Sequence, residues 1–173
     1  MLEIIKRRRS SRSFDSTRPV EEAKIAEIVE AGLWAPSGKN GQKGEIIVIS
    51  NKQIRDRLAE INARVGGWPA GFDPFYGAPV ILLVVVKDCP YPELDGAAMI
   101  ENMLLEATNQ GLGTCWIHRA KAELELQETR ELLKDTGLNF DEYVGVDHIA
   151  LGYSLAGQPK EKAIAPGRVH YLR

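Results

Sequence analysis

The stretch from Asp95 to Arg119 is the strongest constraint on what this chain can fold into. From Gly96 to Leu105 it reads Gly-Ala-Ala-Met-Ile-Glu-Asn-Met-Leu-Leu, with apolar side chains covering nearly every direction of a helical wheel. A helix that is apolar most of the way round belongs inside a fold. Asp95 is its expected N-cap, because the carboxylate can accept from the free amides of the first turn. Gly111 is the expected left-handed C-cap, with Gly113 just beyond it. Thr114-Cys115-Trp116-Ile117 then reads as a short strand of branched and aromatic residues, which stops at the polar pair His118-Arg119. The expectation is a central helix feeding a strand whose end presents polar groups at an interior edge.

The remaining chain supplies layers for that axis. A helix is expected over Met1–Arg9 with Leu2 and Ile5 facing inward, and Pro19 suits the first turn of a second. There Ile25, Ile28, Val29, Gly32 and Leu33 form one amphipathic face, and Ala35-Pro36 ends it. Ser37 to Gly44 is a polar loop, Glu45–Ser50 a strand, and Lys52–Val65 a helix with Ile54, Leu58, Ile61 and Val65 on one side. Gly66–Gly77 carries aromatics without period and suits a loop lying over something flat. Strands are expected at Ala78–Val86 and Asp147–Tyr153, and a charged helix over Glu123–Lys134. This interleaving means α/β or α+β; periodicity leaves both open.

At 173 residues the chain is expected to form one domain spanning 1–173. A formal net charge of −2 argues against bulk attraction to nucleic acid or anionic membrane. The longest apolar run, Ala78 to Val86, is too short to span a bilayer. Met1-Leu2-Glu3-Ile4-Ile5 runs directly into Lys6-Arg7-Arg8-Arg9, without the apolar core of a leader. Cys89 and Cys115 show neither metal spacing nor a disulfide framework, so no metal is expected and a reducing cytoplasm is the default location.

Cations offer the clearest chemistry. Arg8, Ser10 and Arg12 alternate, so in an extended segment they point the same way. Guanidinium forks match phosphate oxygens in geometry and charge. A solvated basic turn, or a loose attraction to nucleic acid, reads the same residues more blandly. Lys160 and Lys162 alternate similarly. Gly111-Leu112-Gly113 lacks the third glycine of a dinucleotide fingerprint, and neither a Walker loop nor a nucleophile elbow occurs. His118, His148 and His170 are scattered, and Cys115 reads as a core thiol.

Four separated stretches together resemble the FMN-dependent nitroreductase family. They are Arg8-Arg9-Ser10-Ser11-Arg12-Ser13-Phe14, Trp34-Ala35-Pro36-Ser37-Gly38-Lys39-Asn40-Gly41-Gln42, Asp95-Gly96-Ala97-Ala98 through Asn102 to Gly111–Ile117, and Ala150-Leu151-Gly152-Tyr153 with Lys160 and Lys162 beyond. The resemblance implies an α+β, three-layer fold with a mostly antiparallel central sheet flanked by helices, in an intertwined homodimer with flavin at the interface. It implies that Arg8, Ser10, Lys160 and Lys162 hold the FMN phosphate and that Arg12 and Asn40 face the pyrimidine end. Backbone amides of His118 and Arg119 would bond flavin N5 and O4, and Arg9, Ser37, Gln42 and Ile117 complete the implied cofactor set. It further implies electron transfer from NADH or NADPH to a nitroaromatic, quinone or similar acceptor by ping-pong turnover, with no side-chain catalyst.

Departures accompany the resemblance. Gln42-Lys43-Gly44 stands where the family often has Gln-Pro-Trp, and Glu101 precedes Asn102 where glutamine is common. The helical insertion of larger members is reduced to Gly66–Gly77, whose Trp68, Phe72, Phe75 and Tyr76 are the candidate substrate cover, or equally aromatics packed on the core. Three rivals are weighed against the oxidoreductase. They are a relative with other chemistry (reductive dehalogenation, oxidative flavin cleavage), a flavin-binding sensor or store, and, more distantly, a nucleic-acid binder built on Arg7–Arg12.

Overall fold

The computed structural model describes residues 1–87, 89–157 and 162–173. In chain order its elements are α1 (Leu2–Arg7), α2 (Glu22–Leu33), β1 (Gly44–Ile49), α3 (Lys52–Val65), β2 (Val80–Lys87), α4 (Pro92–Asn109), β3 (Gly113–Ile117), α5 (Ala120–Leu124), α6 (Gln127–Leu132) and β4 (Tyr143–Gly152). The strands form one sheet in the order β1-β2-β4-β3, every neighbouring pair antiparallel. Helices cover both faces, so the class is α+β.

Strand β2 shows why the sheet is central. Its residues from Val80 to Val86 are all buried, a continuous apolar run of the kind demanded when both faces are covered. Ile81, Leu83 and Val85 join Leu58 of α3 and Leu124 of α5 in one core, while Val80, Leu82, Val84 and Val86 join Ile28 of α2 and Ile100 and Met103 of α4 in the other. The period of two divides the strand between two helical layers.

Two glycines let the layers close. The register slips between Val84 and Val85, where β4 carries an extra residue at Val146. Val146 packs on α4 so tightly that a Cβ on Gly96 would come within 2.5 Å of it. Beside it, a Cβ on Gly145 would lie 2.5 Å from the Ala120 carbonyl oxygen, so α5 rests directly on β4. Because backbone cannot swing aside as a side chain can, Gly145→Ala is expected to cost about 1–3 kcal/mol in a urea melt. An unchanged midpoint would contradict this close approach.

Several expectations are corrected. The central helix begins at Pro92, not at Gly96, so Asp95 sits within its first turn and is not the N-cap. Gly111 does take the left-handed conformation, with Leu112 N–H bonded to the Ala107 carbonyl at 2.8 Å in a Schellman close. α4 is buried on its sheet-facing side, whereas Ala97, Ala98 and Leu105 remain half-buried and Leu94 exposed. α1 buries no residue, and Leu2 and Ile5 are exposed, not inward. Pro19 lies before α2 instead of in its first turn. The charged helix expected over Glu123–Lys134 is two helices, separated where Leu126 turns extended.

Candidate functional site

The site begins where the chain leaves α1. Arg8 ends that helix, its N–H bonded to the Ile4 carbonyl at 2.9 Å, and the backbone then runs out extended. Ser10 bridges Thr114 of β3 in parallel, and Ser11 N–H donates to the Thr114 carbonyl at 2.7 Å. Phe14 bridges Ser154 past the end of β4, and the Ser11 and Ser154 hydroxyls meet at 2.5 Å. The basic segment is thus laid along the sheet, and its alternation becomes physical. Ser11 and Phe14 are buried, while Ser10 and Arg12 stand exposed.

Charge around this segment is unevenly compensated. Arg8 Nε lies 3.8 Å from Glu101 Oε1 on α4, so the residue that departs from the family pattern sits beside the first arginine. Arg9 donates to the Arg8 carbonyl at 2.6 Å. Arg12 forms no ion pair among the described residues, and its charge reaches the nearby Cys115 thiol. Burial dominates there and pushes the thiol above its ordinary value, keeping Cys115 an inert core group. A cavity of about 610 Å³ opens beside the segment, lined by Arg7, Arg9, Ser10, Gly113 and Ser154.

At its other end, β3 presents a fixed turn. Arg119 has φ +94° and ψ 0°, a left-handed conformation that a residue with a Cβ adopts only against steric resistance. The His118 ring is exposed, its Nδ1 2.8 Å from Asp147 Oδ2, and Trp116 Nε1 donates to the same oxygen at 2.7 Å. On the opposite face Asn62 bonds both the His118 carbonyl and the Arg119 guanidinium.

The aromatic loop adjoins this turn. A Cβ on Gly66 would fall within 2.8 Å of the Trp68 ring and 3.1 Å of Arg119 Nε, which brings the loop's start to the strand's exit. Trp68 and Phe72 stack at 4.8 Å between centroids, and Phe72 meets Tyr76 edge-on at 6.3 Å. Phe75 is different: it is fully buried, 5.4 Å from the His148 ring, so it anchors the loop and offers no surface as a cover.

The second motif folds into a separate cluster. Ser37 Oγ accepts from Gln42 N–H at 3.0 Å, and Gln42 Nε2 donates to Asn40 Oδ1 at 3.1 Å. Lys39, Asn40 and Gln42 all have positive φ, near +50°. Asp95 Oδ1 accepts from Gly38 N–H at 3.0 Å, so the carboxylate expected to cap its own helix fastens this loop instead. Asn102, from the third motif, donates to the Ala31 carbonyl at 3.0 Å and pins α2 to α4. Tyr153, from the fourth, lies under Arg18 and donates to Glu21, which holds that carboxyl below its usual range.

Within one chain the two polar clusters do not meet. Asp95 and Glu101 are six residues apart on α4, about 9 Å along the axis and about 240° around it, so the loop and Arg8 attach to different sides. Lys160 lies outside the described residues. Lys162 is exposed and makes no ion pair among them.

A model of the family described as "Nitroreductase family" matches residues 5–65 and 68–153. The chain belongs to the nitroreductase family. Among the members it resembles is an Archaeoglobus fulgidus protein provisionally named NADH dehydrogenase/NAD(P)H nitroreductase. That protein is 30% identical over 136 residues, 76% of this chain and 75% of the relative. A Bacteroides fragilis nitroreductase solved with bound FMN superposes with a TM-score of 0.90 at 28% identity, over 99% of this chain and 98% of that one. A Desulfitobacterium hafniense nitroreductase solved with bound FMN shares the fold, with a TM-score of 0.84 at 24% identity over 99% and 97%. The antiparallel sheet expected for a nitroreductase is therefore present. Among the described residues no helix is long and apolar enough to cross a membrane.

Residues that sequence reasoning missed are Asp95 as a loop anchor, Asp147, Asn62 and Glu123. Asn62 did leave a signal, being four residues after Leu58 and so a polar group on the apolar face of α3. Asp147 left none, because its partners come from another strand.

Proposed function

We propose that the protein is an FMN-dependent oxidoreductase, acting as one unit over residues 1–173. It takes electrons from NADH or NADPH and passes them to a nitroaromatic, quinone or similar small acceptor in two half-reactions at one site. The observation that carries this reading is the exposure of Ser10 and Arg12 on a segment laid along β3, whose far end is the fixed His118–Arg119 turn. FMN-bound structures of similar proteins support it.

The residues present fit that cofactor. Arg8, Arg9, Ser10 and Lys162 would hold its phosphate, with Lys160 as the remaining candidate. Arg12 and Asn40 would face the pyrimidine end, with Ser37 and Gln42 beside Asn40. Ile117, His118 and Arg119 would meet the ring with backbone amides. FMN, when bound, supplies hydride and electron transfer; the protein supplies grip, orientation and electrostatics. Arg12, lacking a carboxylate partner among the described residues, is suited to stabilise negative charge on a reduced ring. Trp68, near Arg119, and Phe72 stacked on it would shield the acceptor from water. The two free thiols suit a reducing cytoplasm.

A homodimer follows from the same reading. The Ser37–Gln42 and Arg8–Arg12 clusters attach to different sides of α4, so a second copy is what would bring them together. Exposed Leu2, Ile5, Trp34, Leu94, Ile164 and Leu172 are the surface such a copy would cover.

Glu101 gives the reading a graded test. Its carboxylate competes with a phosphate for Arg8 and repels it, and an exposed pair of this kind is worth up to about 1 kcal/mol. Glu101→Gln is therefore expected to tighten FMN binding by about 2- to 5-fold in a fluorescence titration. Weaker binding would contradict the placement of Arg8 at the phosphate.

Turnover is tested anaerobically on the purified protein. Addition of NADH or NADPH is expected to bleach the yellow colour, and a quinone or nitroaromatic to restore it, with parallel double-reciprocal plots. A yellow protein indifferent to both nicotinamides would contradict the oxidoreductase and favour a sensor or store.

A further inference from the structure

We propose that Asn62 is a positioning residue, whose side chain latches the His118–Arg119 peptide in its left-handed turn and so aims the amides at the exit of β3 toward the flavin. The proposal rests on the flavin reading of the site given above.

Asn62 lies on α3 and is fully buried, yet every polar atom of its side chain is engaged. Its Nδ2 donates to the His118 carbonyl at 3.0 Å and to the Glu123 carboxylate. Its Oδ1 accepts from Arg119 Nε at 3.0 Å and Nη2 at 2.8 Å. One side chain thus grips two consecutive residues, one by its backbone and one by its guanidinium. The Arg119 carbonyl in turn accepts from Glu123 N–H at 3.0 Å, and Glu123 Oε2 lies 3.2 Å from His148 Nε2. Across the sheet, the Asp147 carboxylate holds the His118 ring. The turn is clamped from both faces.

The clamp opposes a backbone preference. At φ +94° the Arg119 Cβ crowds its own peptide, so without a restraint the residue would relax to negative φ and rotate the peptide plane. A rotated plane redirects the amide. Oxidised flavin has a lone pair at N5 and accepts from an N–H, whereas the reduced ring carries hydrogen there and does not. A latch that fixes the amide therefore favours the oxidised ring selectively. A merely structural role for Asn62 would weaken both redox forms alike.

The experiment measures FMN dissociation constants with the ring oxidised, and with it reduced by dithionite under anaerobic conditions, for the full-length protein. Asn62→Ala is expected to weaken oxidised FMN about 10-fold and reduced FMN less than about 3-fold, a change in ratio that loss of one hydrogen bond accounts for. Arg119→Lys keeps the charge and the Cβ but loses the fork, and its ratio should move the same way. The double variant Asn62→Ala with Arg119→Gly should regain most of the wild-type ratio, because glycine takes positive φ without penalty. An unchanged ratio in Asn62→Ala, or a double variant no better than Asn62→Ala, overturns the latch. Should Asn62→Ala fail to fold, an unchanged ratio in Arg119→Lys overturns it alone. Wild-type protein that takes up no FMN would instead remove the reading of the site, an outcome distinct from wild-type binding with unshifted variants.

Discussion

Arg8→Ala is expected to weaken FMN binding about 10- to 100-fold, the equivalent of about one charge-assisted hydrogen bond to phosphate. The backbone at Arg8 is fixed independently of its side chain, through the bond from its N–H to Ile4, so the substitution removes the guanidinium without moving the turn. Its ion pair with half-exposed Glu101 is too solvated to matter for folding, and the melting temperature should hold. Titration of FMN fluorescence reads the loss directly. Wild-type affinity in the variant would remove Arg8 from the phosphate site and leave Arg9, Ser10 and the late lysines to account for it.

The largest effect on stability is expected at Glu123. Glu123→Ala should cost about 2–5 kcal/mol, because the buried Asn62 amide loses its carboxylate acceptor and a large buried side chain is deleted. Glu123 and His148 are both essentially inaccessible, and the carboxylate also receives the Asn62 amide. The truncation further opens a void under α5, where Leu124 and Phe75 are already closely packed. Urea denaturation followed by tryptophan fluorescence measures the change. A loss below about 1 kcal/mol would mean that water or a neighbour satisfies the orphaned groups as well as the carboxylate does.

The layers were legible because each has a strong period. The bounds expected for α3 match those found, since Asn51 caps it through Gln53 and Ile54 N–H and its apolar face repeats cleanly. β2 announced itself as an unbroken apolar run. What escaped was decided by contacts distant in sequence. Asp95 looks like an N-cap until Gly38 competes for its carboxylate, while Pro92 starts the helix a turn earlier. Phe75 shares its composition with Trp68 and Phe72, and only the packing against His148 separates an anchor from a surface ring. Leu2 and Ile5 carry apolar side chains, but α1 is too short to press them into the core. The cationic segment was legible by alternation. The Asn62 network was not, since its members come from α3, the turn after β3, α5 and β4.

Comparing FMN with riboflavin, which differs only by the phosphate, isolates the claim that cations from the N-terminal turn hold that group. Equilibrium titration of flavin-free protein is expected to give FMN at least about 100-fold the affinity of riboflavin, since two charge-assisted bonds already supply that much. Equal affinities for the two flavins would contradict the account, whatever the protein's activity.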